Sequence, residues 1–506
     1  MSDRKSYKSI FTATSLFGGV QMLQVILNLL RGKIVAVLLG ATGMGINSLF
    51  FSTVTMVNNF TGLGLNFSAV REIASSRESG DENSLSRSVK IFRRWLGATS
   101  LSGLLLMVFL SPVLSDYTFG DVALNEAEKQ YYTLAFALLG LMVFFNTLST
   151  GNAAILQGTR NLKKYALYSL TGTISALLVS VPFYYFWGIK GILPALIFST
   201  MVTYLFSALY ARGIKSQKGS ITISETIKGG TPMLKLGLTM MVSTTLASVA
   251  HYLLNTFISS TGSVSDLGLY QAGMSITTQS IGLVFTAMAV DYYPRLASVS
   301  SDNVKIRETA NQQGVITMLI ATPVLLLLSL LLPLVVRILL SQEFLPVVGF
   351  VRLLAFGMLF KAASYSIGTI SFAKGDKKVF FLLEGIYVNA SILIFCSIGY
   401  ALGGLEGLAL FFLLMHVIYF FLVLLVTYRL YSFYLHKMLT HIIVVSVLFM
   451  GSLYLTLRFM DQAYSFYPAA IITVAALIFS YVRLEKLIGL KEIMLKNISK
   501  IRGHRI

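Results

Sequence analysis

Cysteine occurs once, at Cys396, so the chain can form no internal disulfide. The five histidines (His251, His416, His436, His441 and His504) keep no metal-ligand spacing with cysteine or carboxylate. Redox chemistry and a structural metal therefore drop out of the sequence reading, and no cofactor is called for. Charge is scarce as well: only 12% of residues are Asp, Glu, Lys or Arg, against about 25% in an ordinary soluble domain, while 55% are hydrophobic. Acids are the scarcest of these, 21 against 40 Lys plus Arg, which leaves a net charge of +19. A nucleic-acid binder would gather such cations on one surface. Here they sit in short loops between apolar runs, where the positive-inside rule puts them, so nucleic acid is excluded as a partner.

What the chain has in abundance is apolar length. Stretches of about 20 residues, enough to cross a hydrocarbon core as a helix, recur from end to end, without the alternation of a membrane barrel. The expectation is an all-α integral membrane protein with fourteen transmembrane helices, at 9–39, 45–70, 95–115, 130–157, 165–187, 191–211, 234–258, 266–292, 311–340, 347–373, 379–400, 405–428, 438–457 and 466–483. The start, MSDRKSYKSIFTATSLFGG, is basic and then apolar with no small-residue cleavage site, so it reads as a retained first span. With both termini cytoplasmic, the outer segments hold only Lys129, Lys190 and Arg458, whereas the inner loops hold nearly all the other cations. Five cations fall inside spans instead: Arg31, Lys33, Arg337, Arg352 and Lys361.

Two stretches read alike at a fixed offset. GMGINSLFFS with AVREIAS (43–75) and SDLGLYQAGMS with DYYPRLAS (265–298) align Gly45 with Gly268 without a gap, and GTRNLKKYA (158–166) faintly echoes AKGDKKVFF (373–381). Together they suggest a duplicated six-span unit, and an even number of spans makes the copies parallel. The expected organisation is a six-helix lobe over 1–213, a basic cytoplasmic connection over 214–233, and a second lobe over 234–428. Two added helices follow over 429–485, then a basic amphipathic tail over 486–506 suited to anionic membrane lipids.

Span one carries a polar stripe through Gln21, Gln24, Asn28 and Arg31; span two carries one through Asn59 and Asn66; span seven carries His251 and Asn255. Lipid cannot satisfy such groups, so they face protein or water; any one of them alone reads as ordinary packing between helices, and the three together point to a hydrated central cavity between lobes. Lys361, near the middle of its span, would cost at least about 3 kcal/mol in lipid and belongs on that cavity. Arg31 lies near enough the outer end of its span to snorkel, but its place on the polar stripe argues for the cavity. For Lys33 the cavity and an interfacial anchor stand even, and Arg337 and Arg352 sit where interfacial anchors do. Few carboxylates answer these cations; Glu384 and Asp291 are those within or closing a span. Excess positive charge in a cavity calls for an anionic cargo, and an Arg fork with a Lys point charge suits a phosphate or diphosphate.

The run LLRGKIVAVLLGATGMGINSLFFSTV with GLGLNFSAVREIAS, and later DLGLYQAGMSITTQ and FKAASYSIGTISFAKGDKK, resembles the O-antigen and enterobacterial common antigen flippases. These form the polysaccharide-transporter branch of the multidrug, oligosaccharidyl-lipid and polysaccharide exporter superfamily. The resemblance covers nearly the whole chain. It implies two six-helix bundles plus two helices, alternating access, and export of an undecaprenyl-diphosphate-linked oligosaccharide to the outer leaflet of a bacterial inner membrane. It also implies that Lys33 and Lys361 touch the head group, whereas Arg31 rests on helix geometry. Superfamily members commonly couple export to a proton or sodium gradient; Glu384, Asp291 and His251 are the candidates on chemistry alone, with a packing role equally open for each. A polysaccharide polymerase is a candidate partner. The rival readings are a cation-carrying multidrug exporter, a lipid II flippase, and a membrane glycosyltransferase, polymerase or ligase. The last is disfavoured because no nucleophile-and-base pair, Walker loop or HExxH motif is present.

Overall fold

A computed structural model describes residues 2–78, 81–119, 125–214, 222–489 and 491, with side chains from residue 23 except at 283, 287–291, 462–463 and 488. The side chains of Gln21 and Asp291, and most of the amphipathic tail, lie outside the described residues. Among the described residues there is no strand. The helices are α1 (Ser2–Thr61), α2 (Leu65–Glu78), α3 (Glu82–Phe119), α4 (Glu126–Gly158), α5 (Leu162–Trp187), α6 (Ile192–Ala211) and α7 (Ile223–Thr261). There follow α8 (Val264–Ser298), α9 (Asn303–Leu339), α10 (Val347–Ala373), the short α11 (Lys377–Phe380), a π-helix (Phe381–Tyr387), α12 (Val388–Tyr431), α13 (Lys437–Phe459) and α14 (Gln462–Ile488). Among the described residues, ten helical stretches are long and apolar enough to cross a membrane.

Glycine decides where the longest helices break. α1 is interrupted at Gly40 (φ 66°) and α12 at Gly403 and Gly404 (φ 58° at Gly404), left-handed backbone that a Cβ would penalise. These breaks fall where one expected span gives way to the next. The second span differs from expectation: it ends at Thr61, and α2 is a separate helix after a turn through Leu63 and Gly64, both at positive φ. The cause is a close approach, since a Cβ on Gly64 would lie 2.1 Å from the carbonyl oxygen of Gly237 in α7.

The chain divides into two compact units, Met1–Leu269 with Leu339–Ser341, and Tyr270–Ile338 with Gln342–Ile506. In the first, α3 packs along α4, α5 along α6, and α7 lies against α1, α2 and α3. An apolar cluster of Ile73 (α2), Phe92 and Leu96 (α3), Ile155 and Leu156 (α4) and Met233 (α7) closes one end. Residues 223–233, expected as connection, are instead the opening turns of α7. A reciprocal capping box between Thr222 and Glu225 starts that helix, and the Trp95 indole N–H donates to the Thr226 carbonyl at 3.2 Å. In contact terms α7 thus belongs with the helices before it.

Each of the two glycines aligned by the internal repeat lies against the backbone of the other's segment. A Cβ on Gly45 would lie 2.0 Å from the Val264 carbonyl oxygen, and one on Gly268 would lie 1.9 Å from the Ala41 carbonyl oxygen. Ala41 pairs with Val264 at the offset that pairs Gly45 with Gly268, so the contact is reciprocal, as in an interface between two like copies. Backbone touches backbone there, as small residues permit in membrane bundles.

In the second unit α10 is the central helix, buried along most of its length against α12 and α13. Tyr292 of α8 donates to the Ser366 carbonyl at 2.5 Å, and Thr322 of α9 donates to Ser446 of α13 at 2.8 Å. Large apolar side chains such as Phe109, Phe421, Leu448 and Ile471 stand exposed along the outer faces, as a lipid-facing surface requires.

Two outcomes follow. Gly268→Val and Gly45→Val force the two backbones apart, and each should lower stability by about 1–3 kcal/mol, the usual cost of overpacking. Thermal unfolding in detergent checks this, with Gly97→Ala as control because nothing lies within 4 Å of its Cβ position. Between α8 and α9, Asp302 accepts from the backbone N–H groups of Val304 and Lys305 at 2.9 and 3.2 Å. Its carboxyl is held below its ordinary value of 3.8, chiefly by the Lys305 N–H. That contribution is present above this value and is lost as pH falls through the lower, folded one; Asp302→Asn should therefore flatten the acid limb of a stability–pH profile measured by unfolding.

Candidate functional site

The α10 sequence KAASYSIGTISF places Lys361, Ser364, Tyr365, Gly368, Thr369 and Phe372 three or four residues apart, on one helical face. That face lines a cavity of about 270 Å3. Opposite it, the π-helix region presents Phe380, Glu384, Tyr387 and Val388, and α12 presents Met415, His416 and Tyr419. Every lining residue belongs to the second unit. Although its neighbours on α10 are mostly buried, Lys361 is exposed, and it is one of the residues lining the cavity.

Three features fix the carboxylate of Glu384. The Tyr419 hydroxyl donates to its Oε1. Gly368 leaves the room it occupies, since a Cβ there would lie 2.7 Å from that oxygen and 3.3 Å from the Tyr419 hydroxyl. The π-turn carrying Glu384 widens the helix and frees carbonyls, which the Asn389 side-chain amide takes up by donating to Gly385 at 2.7 Å and to Glu384 at 3.4 Å. Lys361 and Glu384 are near enough for their charges to interact, yet they make no direct ion pair. His416 is buried, with Nδ1 2.9 Å from the Phe412 carbonyl. A carbonyl only accepts, so Nδ1 carries the proton and Nε2 is left as the other ring atom. Tyrosine and phenylalanine rings complete the wall, Tyr419 buried, Tyr365, Phe380 and Tyr387 half-buried and Phe372 exposed, with Tyr387 stacked on Tyr419 at 5.9 Å.

The cavity thus brings together Lys361, expected as a head-group contact, and Glu384, expected as a coupling candidate. Arg31 and Lys33 lie in the first unit and are not among its lining residues; Arg31 is half-buried, Lys33 is exposed, and Gly32 between them faces open space. Among the described residues neither makes an ion pair. The stripe residues are mostly engaged in joining helices. Gln24 donates to Ser169 of α5, Asn59 to the Thr244 carbonyl of α7 at 3.4 Å, and Asn66 to Thr150 of α4 at 3.0 Å. Asn255 is buried and donates to Ser48 of α1 at 3.4 Å, so it binds α7 to α1 instead of facing an opening. Asn28 and His251 are exposed. Arg337 is exposed, and Arg352 Nε donates to the Ser329 carbonyl at 3.2 Å.

Sequence reasoning did not single out Tyr419, His416 or Gly368. His416 carried a signal, as an ionisable residue in mid-span; a tyrosine and a glycine in an apolar helix carry none. Among the described residues no cluster of three His, Cys, Asp or Glu could hold a metal ion.

This fold recurs in solved transporters. An inward-facing multidrug resistance MATE family transporter of the MOP superfamily superimposes with a TM-score of 0.68 at 17% identity, over 81% of this chain and 94% of that one. The lipid II flippase MurJ, in an inward closed conformation, gives 0.68 at 19% identity, over 94% of this chain and 99% of that one. A MOP superfamily transporter from Pyrococcus furiosus, described as having a binding pocket of reverse polarity, gives 0.58 at 16% identity, over 84% and 96%. At these identities the likeness establishes the fold: this is a multi-pass membrane protein with the architecture of a MOP-superfamily transporter. Residues 34–349, more than half the chain, match the family described as "Polysaccharide biosynthesis protein", and the chain belongs to that family. No curated protein matches the sequence. Lys361 and Glu384 lie beyond the matched segment, so their pairing is read from this chain alone.

Gly368→Val should expel the Glu384 carboxylate from its notch and break its bond to Tyr419, lowering the detergent unfolding temperature. Gly282→Ala, with open space at its Cβ position, should leave that temperature unchanged.

Proposed function

We propose that this protein is a flippase that moves an undecaprenyl-diphosphate-linked oligosaccharide, an O-antigen or related surface polysaccharide unit, from the inner to the outer leaflet of a bacterial inner membrane. The observation that carries the reading is Lys361: a lysine in the middle of a long apolar helix lines a partly open cavity, where an anion is the guest a cation at that depth best accommodates. Membership of a polysaccharide biosynthesis family and a transporter fold support it. In this reading fourteen spans form two parallel six-helix lobes plus two helices, with both termini cytoplasmic, and rocking of the lobes exposes the head group to either side. The diphosphate is held by Lys361, the sugars occupy hydrated space, and the prenyl tail stays in lipid. No bond of the cargo is made or broken, so the protein is not an enzyme. Glu384 is the group that couples movement to an ion gradient. The membrane lipids and a polysaccharide polymerase are its partners.

A multidrug exporter would need a carboxylate free to meet a cationic drug. Glu384 shares its cavity with Lys361, which does not favour that rival. The test replaces Lys361 with Ala in a strain lacking the native gene and follows the lipid-linked oligosaccharide by mass spectrometry. The expected result is build-up of the unit with at least a tenfold loss of surface polysaccharide, and partial recovery with Lys361→Arg. Normal surface polysaccharide without build-up would overturn the assignment.

A further inference from the structure

The arrangement around Lys361 has an electrostatic consequence. Lys361 and Glu384 line one cavity with opposite formal charges, which relieves the cost of leaving either alone at membrane depth. Yet the carboxylate is fastened elsewhere, to the Tyr419 hydroxyl and into the Gly368 notch, and it forms no ion pair with the ammonium. The lysine therefore keeps its donors turned to a cavity of about 270 Å3, room for a phosphate group. A phosphate arriving at Lys361 must lie beside a carboxylate that cannot withdraw, and two like charges in so small a space repel.

Resting on the flippase reading, we propose that Glu384 takes up one proton from solvent when a phosphate anion of the cargo binds Lys361, and returns it when the anion leaves. Protonation converts the carboxylate from a competitor into a ligand. One oxygen still accepts from Tyr419, while the new O–H donates to a phosphate oxygen. Counted for the one phosphate that meets Lys361, the local charge is then kept: ammonium with carboxylate before binding, ammonium with phosphate after it. The other titratable groups facing Glu384 do not replace it. Tyr419 and Tyr387 face it from α12 and from its own π-helix, Tyr365 and Lys361 from α10, and His416 from α12. His416 has its Nδ1 proton tied to the Phe412 carbonyl, and a second charge on its ring would stand beside Lys361. By linkage, one proton taken up per anion makes affinity rise at most about tenfold for each pH unit of acidification.

The test uses the full-length protein in detergent and a short-prenyl diphosphate-sugar diester, geranyl diphosphoglucose, whose phosphates stay ionised throughout the pH range. Isothermal titration calorimetry in buffers of different ionisation enthalpy counts the protons exchanged on binding. Wild type is expected to take up one proton per anion near the upper end of the range and to bind more tightly as pH falls. Glu384→Gln should bind with no proton uptake and a flat pH profile, and His416→Gln should retain the wild-type uptake. Tyr419→Phe, which removes one hydroxyl and keeps the carboxylate, should shift the uptake profile toward higher pH. This gives a second readout if Glu384→Gln does not fold. Binding without proton uptake in wild type, uptake that persists in Glu384→Gln, or a profile unmoved by Tyr419→Phe would overturn the inference and leave the flippase reading standing. Failure of wild type to bind the diester at any pH, or unweakened binding by Lys361→Gln, would overturn the reading on which it rests.

Discussion

An ammonium held at the depth of a membrane is the constraint on which the rest of this structure turns. Its cost in hydrocarbon is at least about 3 kcal/mol, and mid-helix placement denies it an easy route to the interface. The fold answers by turning one face of α10 away from lipid, so that Lys361 begins a stripe that ends at Phe372 and looks onto Glu384, Tyr419 and His416.

The opposite treatment of polar groups is visible in the first unit. There the amides of Gln24, Asn59, Asn66 and Asn255 reach across to neighbouring helices and hydrogen-bond. Polar side chains in an apolar bundle thus serve two ends, joining helices or lining space, and helical spacing alone does not separate them. The reciprocal contact of Gly45 with Val264 and Gly268 with Ala41 belongs to the joining kind.

Much of the fold was legible because its causes are local. Apolar runs of membrane length anticipated the ten described stretches that could cross, and the span boundaries expected at 39–45 and 400–405 bracket the interruptions at Gly40 and at Gly403–Gly404. Lys361 and Glu384 were legible for a similar reason, since ionisable residues inside apolar runs are conspicuous. What escaped was set by approach between distant segments. The turn after Thr61 depends on Gly237, nearly two hundred residues along the chain. The notch for the Glu384 carboxylate depends on Gly368, and its hydroxyl partner on Tyr419, neither of which differs in pattern from any other glycine or tyrosine in a span. The π-turn that carries Glu384 has no composition of its own.

The most direct measurement of the central claim is the solvent that Lys361 sees. A Lys361→Cys variant, with the buried Cys396 replaced by serine, can be treated with a charged, membrane-impermeant thiol reagent and with an apolar one in native membranes. Rapid reaction with the charged reagent, slowed by a diphosphate-linked prenyl sugar, is the result expected of a wet, anion-binding cavity. Reaction with the apolar reagent alone, unaffected by the diphosphate, would place the side chain in lipid and contradict the account.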